Sequence, residues 1–293
     1  MHTRVHLTLR AAPDLPVEAE QLLPVNVTGK TGEEIAALPL QVGNRTETVG
    51  EHFEVAITSA PEQAEDDRLD ALAELVLTGD LARFKRLGEA MTAGTMRVEG
   101  SVGFHAGALM RGGELTITGN AADHLGAMMT GGTIRVLGNA GHFAGSAYRG
   151  ETRGMNGGTI LIHGNAGNLT GARMRRGTIA VGGKCGDLAG FSMGAGTIVI
   201  GGETGVRAGA NMVRGSLILL TNPGKMPPTF RYNHTGQLGF WPILLGTLNS
   251  TTNSTTNGAA PLLDVSANAA FQRYSGDFNE GGRGEILIAA SAN

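Results

Sequence analysis

The residues best suited to chemistry are three histidines and a cluster of arginines. His105 and His124 stand nineteen residues apart, and His142 follows eighteen later. A vertical pair of imidazoles can ligate a metal ion, but no carboxylate or cysteine completes the set at ligand spacing. No serine elbow, phosphate-binding loop or Cys/His nucleophile pair occurs. The single cysteine, Cys185, excludes an intrachain disulfide and reads as a small core residue beside Gly186. The sequence therefore assigns no catalytic residue and no metal ligand. A stand-alone enzyme built on the three histidines is the competing reading, and activity of the purified single chain would support it.

The arginines are more informative. The segment Gly145-Ser-Ala-Tyr-Arg-Gly-Glu-Thr-Arg-Gly-Met155 holds Tyr148, Arg149, Glu151 and Arg153, and Arg173, Arg175 and Arg176 follow shortly after. Planar guanidinium groups bind carboxylates and phosphates in bidentate fashion. These residues are predicted to hold an acidic partner segment or an anionic cofactor tail. The bland alternative is a loop held by its own Arg–Glu pairs.

What must position them is a repeat. Gly94, Gly113, Gly132, Gly158, Gly177, Gly196 and Gly215 open successive units, nineteen residues apart in five of six gaps and twenty-six in the other. The long gap contains the arginine loop as a seven-residue insertion, and insertions in stacked repeats map to one face, often the binding face. After each glycine the apolar residues alternate, as in Ile134/Val136, Ile160/Ile162 and Ile198/Ile200, which is a strand with one buried face. One strand per nineteen residues leaves no room for a crossover helix. The fold class expected is mainly β: a right-handed parallel β-helix of about seven 19-residue coils. A methionine column (Met91, Met110, Met129, Met174, Met193, Met212) reads as interior filler, with Met155 rather than Tyr148 taking that place in the enlarged unit.

The flanks differ. Residues 1–73 read as a β-rich cap with a short helix starting at Thr31 and ending before Pro39, and a second helix candidate from Pro61 to about Ala73. The coils are expected over 74–220, opening with a strand Glu74–Thr78. Residues 221–293 read as an irregular capping tail, with Thr247–Gly258 a polar loop. Between the inward strand positions runs a column that turns apolar in the second half: Leu161, Ala180, Val199, Ile218. An outward apolar ladder must be covered, by the tail or by another subunit. Leu161, Val199 and Ile218, with Trp241 of the tail, are accordingly interface candidates.

Charge is uneven. The chain carries a net charge of −3, yet residues 94–220 hold eleven Lys/Arg against six Asp/Glu. A basic rod on an acidic chain suits an anion or acidic partner. Nucleic acid is disfavoured, since no basic run is interleaved with aromatics. No secretory h-region or long apolar run is present, so no membrane contact and a cytoplasmic location are expected.

The repeated Gly-Thr-Ile-x-Val-x-Gly-x-x-Gly-x-x-x-Gly, the loop Tyr148-Arg-Gly-Glu-Thr-Arg-Gly-Met155 and the tail Tyr274-Ser-Gly-Asp-Phe-Asn-Glu-Gly-Gly-Arg-Gly-Glu resemble the C subunits of formylmethanofuran dehydrogenase and of the related bacterial formyltransferase/hydrolase complex. The resemblance implies a non-catalytic subunit of a one-carbon enzyme complex. Its implied partners are a formyltransferase subunit, an amidohydrolase-like subunit and a further subunit. It also implies a methanofuran-type carrier (methylofuran) in the complex, with no cofactor held by this chain alone. Furan carriers bear glutamate chains, an obvious anionic ligand for Tyr148, Arg149, Arg153, Arg173, Arg175 and Arg176. The hydrolase version is the preferred one. The C subunit of a molybdenum or tungsten formylmethanofuran dehydrogenase is the close alternative, and a glutamate-synthase-like β-helix spacer domain an alternative of another class.

Overall fold

The structure is a computed structural model that describes residues 2–60, 72–253 and 261–290. It is mainly β. Nine strands lie side by side and parallel: Glu74–Thr78, Thr95–Glu99, Arg111–Ile117, Gly131–Val136, Asn156–Ile162, Arg176–Val181, Thr197–Ile200, Arg214–Leu219 and Arg283–Ala289. The opening strand has the bounds that its sequence predicts. Register follows the repeat: Ile134 pairs with Leu115 on one side and Ile160 on the other, and Ile198 with Ile179 and Leu217. A second line of contact runs through single parallel bridges joining Leu81, Val102, Ala121, Ala140, Ala166, Cys185 and Thr204 in succession. Each unit therefore rests on its neighbour along two edges.

Antiparallel strands close both ends of this sheet. His2–Leu9 lies parallel to Glu74–Thr78 and antiparallel to Phe53–Ala60, while Arg283–Ala289 pairs with Ala270–Gly276 and that strand with Arg231–Gln237. The early flank adds a small four-stranded sheet and a helix Gly32–Ala36. Thr31 caps that helix reciprocally with Glu34, satisfying two backbone donors. The second helix candidate, Pro61–Ala73, falls on residues 61–71, which lie outside the described residues.

The interior is built from the alternating columns. Met96, Val98, Leu115, Ile117, Ile134, Val136, Ile160 and Ile162 are all buried, as are Met91, Met110, Met129, Met155, Met174, Met193 and Met212. Met155 thus takes the methionine place in the enlarged unit.

The glycines are required by proximity. A Cβ at Gly157 would sit 2.2 Å from the carbonyl oxygen of Thr130, and Gly126 adopts φ +58° with Ile160 pressed against it. Polar corner ladders add register that the sequence reading missed. Asn120 Oδ1 accepts the Asn139 N–H at 2.8 Å, Asn139 accepts that of Asn165, and Asn165 that of Lys184. A parallel ladder runs Asp123, His142, Asn168, Asp187, each side chain accepting the backbone N–H of the next unit.

Two expectations for the tail are corrected. The polar stretch from Thr247 is helical as far as Asn253, within a helix Trp241–Asn253; residues 254–258 lie outside the described residues. Trp241, Leu245 and Leu248 form a helical stripe that packs on Leu161, Ala180, Val199, Ile218 and Phe271. Trp241 Nε1 donates to the Ser266 carbonyl at 3.1 Å, and Asn249 clasps the backbone of Leu263 from both sides. Leu161, Val199, Ile218 and Trp241 are therefore buried within this chain and present no surface to a partner. Of the two covers open to the sequence, the tail takes the place. Among the described residues no helix is long and apolar enough to cross a membrane.

A methyl group aimed at a backbone carbonyl cannot be absorbed by a rotamer change. Gly157→Ala is expected to lower stability by about 1–3 kcal/mol. Gly246, in the tail helix with open space around it, provides the control. Gly246→Ala is expected to raise stability by about 0.5–1 kcal/mol. Thermal unfolding midpoints of the two variants check both signs.

Candidate functional site

The stack turns one corner in a left-handed conformation in every unit. Arg86, His105, His124, Phe143, Leu169, Leu188 and Arg207 all have φ between 59° and 66°. Non-glycine residues seldom adopt this conformation, and a whole column of them is held by the stacking on either side. The consequence is a ladder of side chains along one edge, one per unit. His105 stacks on His124 with ring centroids 5.1 Å apart and planes at 20°, and His124 stacks on Phe143 at 4.8 Å and 7°.

The seven-residue insertion folds over this ladder. Its neck is closed by Met155 N–H to the Gly145 carbonyl at 2.9 Å and by Gly154 N–H to the Arg173 carbonyl at 2.8 Å. The Arg173 guanidinium donates back to the carbonyl of Glu151. None of the ion pairs of the described residues involves Glu151, so the loop is not held by Arg–Glu pairs. Tyr148 is its anchor: the phenol oxygen lies 3.0 Å from His105 Nδ1, and its ring lies 5.4 Å from that of His105 and 5.2 Å from that of His124.

Burial keeps both partners of that bond uncharged near neutral pH. Burial pushes the Tyr148 phenol up to about 12, so it stays protonated, and the His105 tautomer sets which of the two groups donates. Burial holds His105 below the ordinary histidine value, with His124 and Arg86 adding to the effect, and burial does the same for His124. The His105–His124–Phe143 stretch of the ladder is thus an aromatic wall, uncharged near neutral pH. Among the described residues no group of three His, Cys, Asp or Glu side chains is arranged to hold a metal ion.

Beneath the loop lies a cavity of about 580 Å³. Its walls include His124, Phe143, Tyr148, Leu169 and Phe191, with Arg149 and Arg173 supplying positive charge. Of the six residues singled out in the sequence, Tyr148, Arg149 and Arg173 meet here. Arg153, Arg175 and Arg176 are exposed and do not line it. His142 is not part of the histidine stack: its Nδ1 accepts the Asn168 N–H at 2.9 Å and serves the corner ladder. The three-histidine site is therefore not assembled. Cys185 is buried, and its thiol is pushed up to about 11 by that burial, which makes it unreactive. What the arrangement can do is hold an anion beside an apolar surface. Sequence reasoning missed the aromatic stack, although its signal was present as the nineteen-residue spacing of His105, His124 and Phe143.

The Tyr148–His105 bond gives two measurable effects. Tyr148→Phe is expected to cost about 0.5–1.5 kcal/mol. A histidine whose folded pKa lies below its unfolded value of about 6.5 takes up its proton more readily when unfolded. Stability should therefore be complete above that value and fall as pH drops from about 6.5 through the lowered folded values. Replacing His105 and His124 by Asn, which tolerates positive φ, should flatten the dependence of the unfolding midpoint between pH 8 and pH 5.

No family model matches the chain. Curated relatives match part of it. The chain is 37% identical over 106 residues to the C subunit of tungsten-containing formylmethanofuran dehydrogenase 2 of Methanothermobacter marburgensis, covering 36% of this chain and 37% of that protein. It is 36% identical over 101 residues to the C subunit of molybdenum-containing formylmethanofuran dehydrogenase 1 of Methanosarcina barkeri, covering 34% and 31%. It is 37% identical over 98 residues to the C subunit of the formyltransferase/hydrolase complex Fhc of Methylorubrum extorquens, covering 33% and 32%. The matched segment spans about a third of the length of each of these relatives. In three dimensions the likeness is far longer. A chain in the crystal structure of the formyltransferase/hydrolase complex from Methylorubrum extorquens, in complex with methylofuran, superposes with a TM-score of 0.82 and 36% identity, covering 97% of this chain and 99% of that one. The end-to-end likeness, with the named relatives, leads to one assignment: the chain belongs to the family formed by the C subunits of formylmethanofuran dehydrogenases and of formyltransferase/hydrolase complexes.

Proposed function

We propose that this chain is a non-catalytic, structural subunit of a cytoplasmic formyltransferase/hydrolase complex, in which a formyl group passes from tetrahydromethanopterin to a furan carrier and is released as formate. In this reading residues 74–220 wind as a right-handed parallel β-helix, capped by 1–73 and by 221–293. The observation that carries the choice of complex is the likeness over 97% of the chain to a chain of a formyltransferase/hydrolase complex. The neighbour complex contains methylofuran, and the insertion loop offers this carrier's anionic tail a place: Arg149 and Arg173 for its carboxylates, Tyr148 and the aromatic ladder as a rigid wall. Arg153, Arg175 and Arg176 stand outside the cavity and extend the basic field over the same edge. Formyltransferase, amidohydrolase-like and further subunits are the partners. On the tail side they would meet the exposed Phe240, just ahead of the helix, and Ile243 on it rather than the buried ladder beneath.

A second reading has its own support, because the tungsten and molybdenum relatives are named as dehydrogenase subunits. Affinity purification with mass spectrometry separates the two. Co-eluting formyltransferase and amidohydrolase homologues support the hydrolase complex, and a molybdopterin-type subunit supports the dehydrogenase.

The carrier site has a direct test. Replacing Arg149 and Arg173 together by Ala removes two charge-assisted contacts, each worth about 1.5–3 kcal/mol. Affinity of the assembled complex for a glutamate-bearing furan carrier should fall at least tenfold, and should weaken further with added salt in the wild type than in the variant. Unchanged affinity would place the tail elsewhere.

A further inference from the structure

A second cavity lies farther along the edge that carries the insertion loop. It measures about 840 Å³ and runs between the left-handed corner column and the segment Pro223–Thr229. Leu188, Phe191, Val206 and Pro227 give it apolar walls, and Val206 is 66% exposed. Phe191 lines this cavity and the one beneath the loop, so it partitions the edge into two adjoining sites.

Charge in the second cavity is sorted by accessibility. Two carboxylates line it, and both are turned to backbone. Asp277 is 3% exposed and accepts the N–H groups of Asn211 at 3.1 Å and Asn279 at 2.9 Å. Asp187 accepts the Val206 N–H at 2.9 Å. The two cations, Arg207 and Lys225, are exposed, and neither belongs to an ion pair of the described residues. A solvent-borne ligand therefore meets apolar walls, two exposed cations and the half-buried Asp187, whose Oδ1 is taken by backbone.

We propose that this cavity seats an extended segment of a partner polypeptide that carries both acidic and apolar side chains. Its apolar side chains can reach Leu188, Phe191 and Val206, and its carboxylates can reach Arg207 beside them and Lys225 on the segment across the cavity. An all-glutamate chain would leave the apolar walls unused, and a basic segment would meet like charge. The proposal rests on the reading of this chain as a subunit of a larger assembly, but apart from the shared Phe191 it uses residues that the carrier site does not.

The test uses the full chain and a fluorescent peptide of four Glu-Leu repeats, read by anisotropy. The peptide should bind, and Arg207→Asp with Lys225→Glu should weaken it at least tenfold. Aspartate suits the left-handed backbone at position 207, and Val206→Asp at an exposed site gives a second variant, also expected to weaken binding. Arg149→Ala with Arg173→Ala should leave peptide affinity unchanged, so failure here is distinguishable from failure of the carrier site. Three results would overturn the proposal: equal affinity after charge reversal, equally tight binding of a Lys-Leu or an all-glutamate peptide, or loss of peptide binding in the Arg149/Arg173 variant.

Discussion

Close approach of backbone to backbone at glycine corners is the constraint on which the molecule depends. Gly119, Gly138, Gly164, Gly183 and Gly202 each lie so near the preceding unit that a Cβ would meet its carbonyl at under 3 Å. Only units with glycine there can settle to the parallel-strand spacing of about 4.8 Å. Once they do, every other column falls into line. The Ile/Val positions pair with their own kind, the methionines fill the interior, and Asn, Asp and His side chains reach the next backbone N–H from fixed corners. The repeat is thus a set of mutually supporting choices, each of which would be strained alone.

The site is a by-product of that regularity. A corner held at positive φ in every unit projects one side chain per unit from the same edge, so whatever residues occupy the column must stack. Where they are His105, His124 and Phe143, the result is an aromatic wall; where they are Leu169 and Leu188, an apolar floor. The insertion then needs little of its own structure. Its neck closes on bonds that stacking already positions, and a single phenol–imidazole contact fixes its tip. Burial keeps that contact uncharged and leaves Arg149 and Arg173 as the cations of the adjoining cavity.

Local pattern was enough to read the strands, the Met155 register, the Thr31 cap and the opening strand Glu74–Thr78, because each is set by neighbours in sequence or by the nineteen-residue period. Three features depended on contacts that no period encodes. The helix through Trp241–Asn253 contains a Thr/Asn/Ser tract that favours loops, and it is held by Trp241, Leu245 and Leu248 against the outward ladder. The ladder residues Leu161, Val199 and Ile218 looked available to a partner because the tail that buries them begins past residue 220. His142 resembled a third member of a histidine cluster, yet one residue of offset turns it to the Asn/Asp ladder instead. Among the arginines, spacing located the right edge but not which guanidinium groups line the cavity.

The stacked frame carries a basic, aromatic-backed pocket, and the proposed carrier site lies there. The most direct measurement is a cryo-electron microscopy map of the assembled complex loaded with its furan carrier. The expected result is density for the carrier's carboxylate tail within hydrogen-bond reach of Arg149 and Arg173, with Tyr148 seated on His105. A map in which the carrier contacts only the other subunits, with the loop turned away from the histidine ladder, would contradict it.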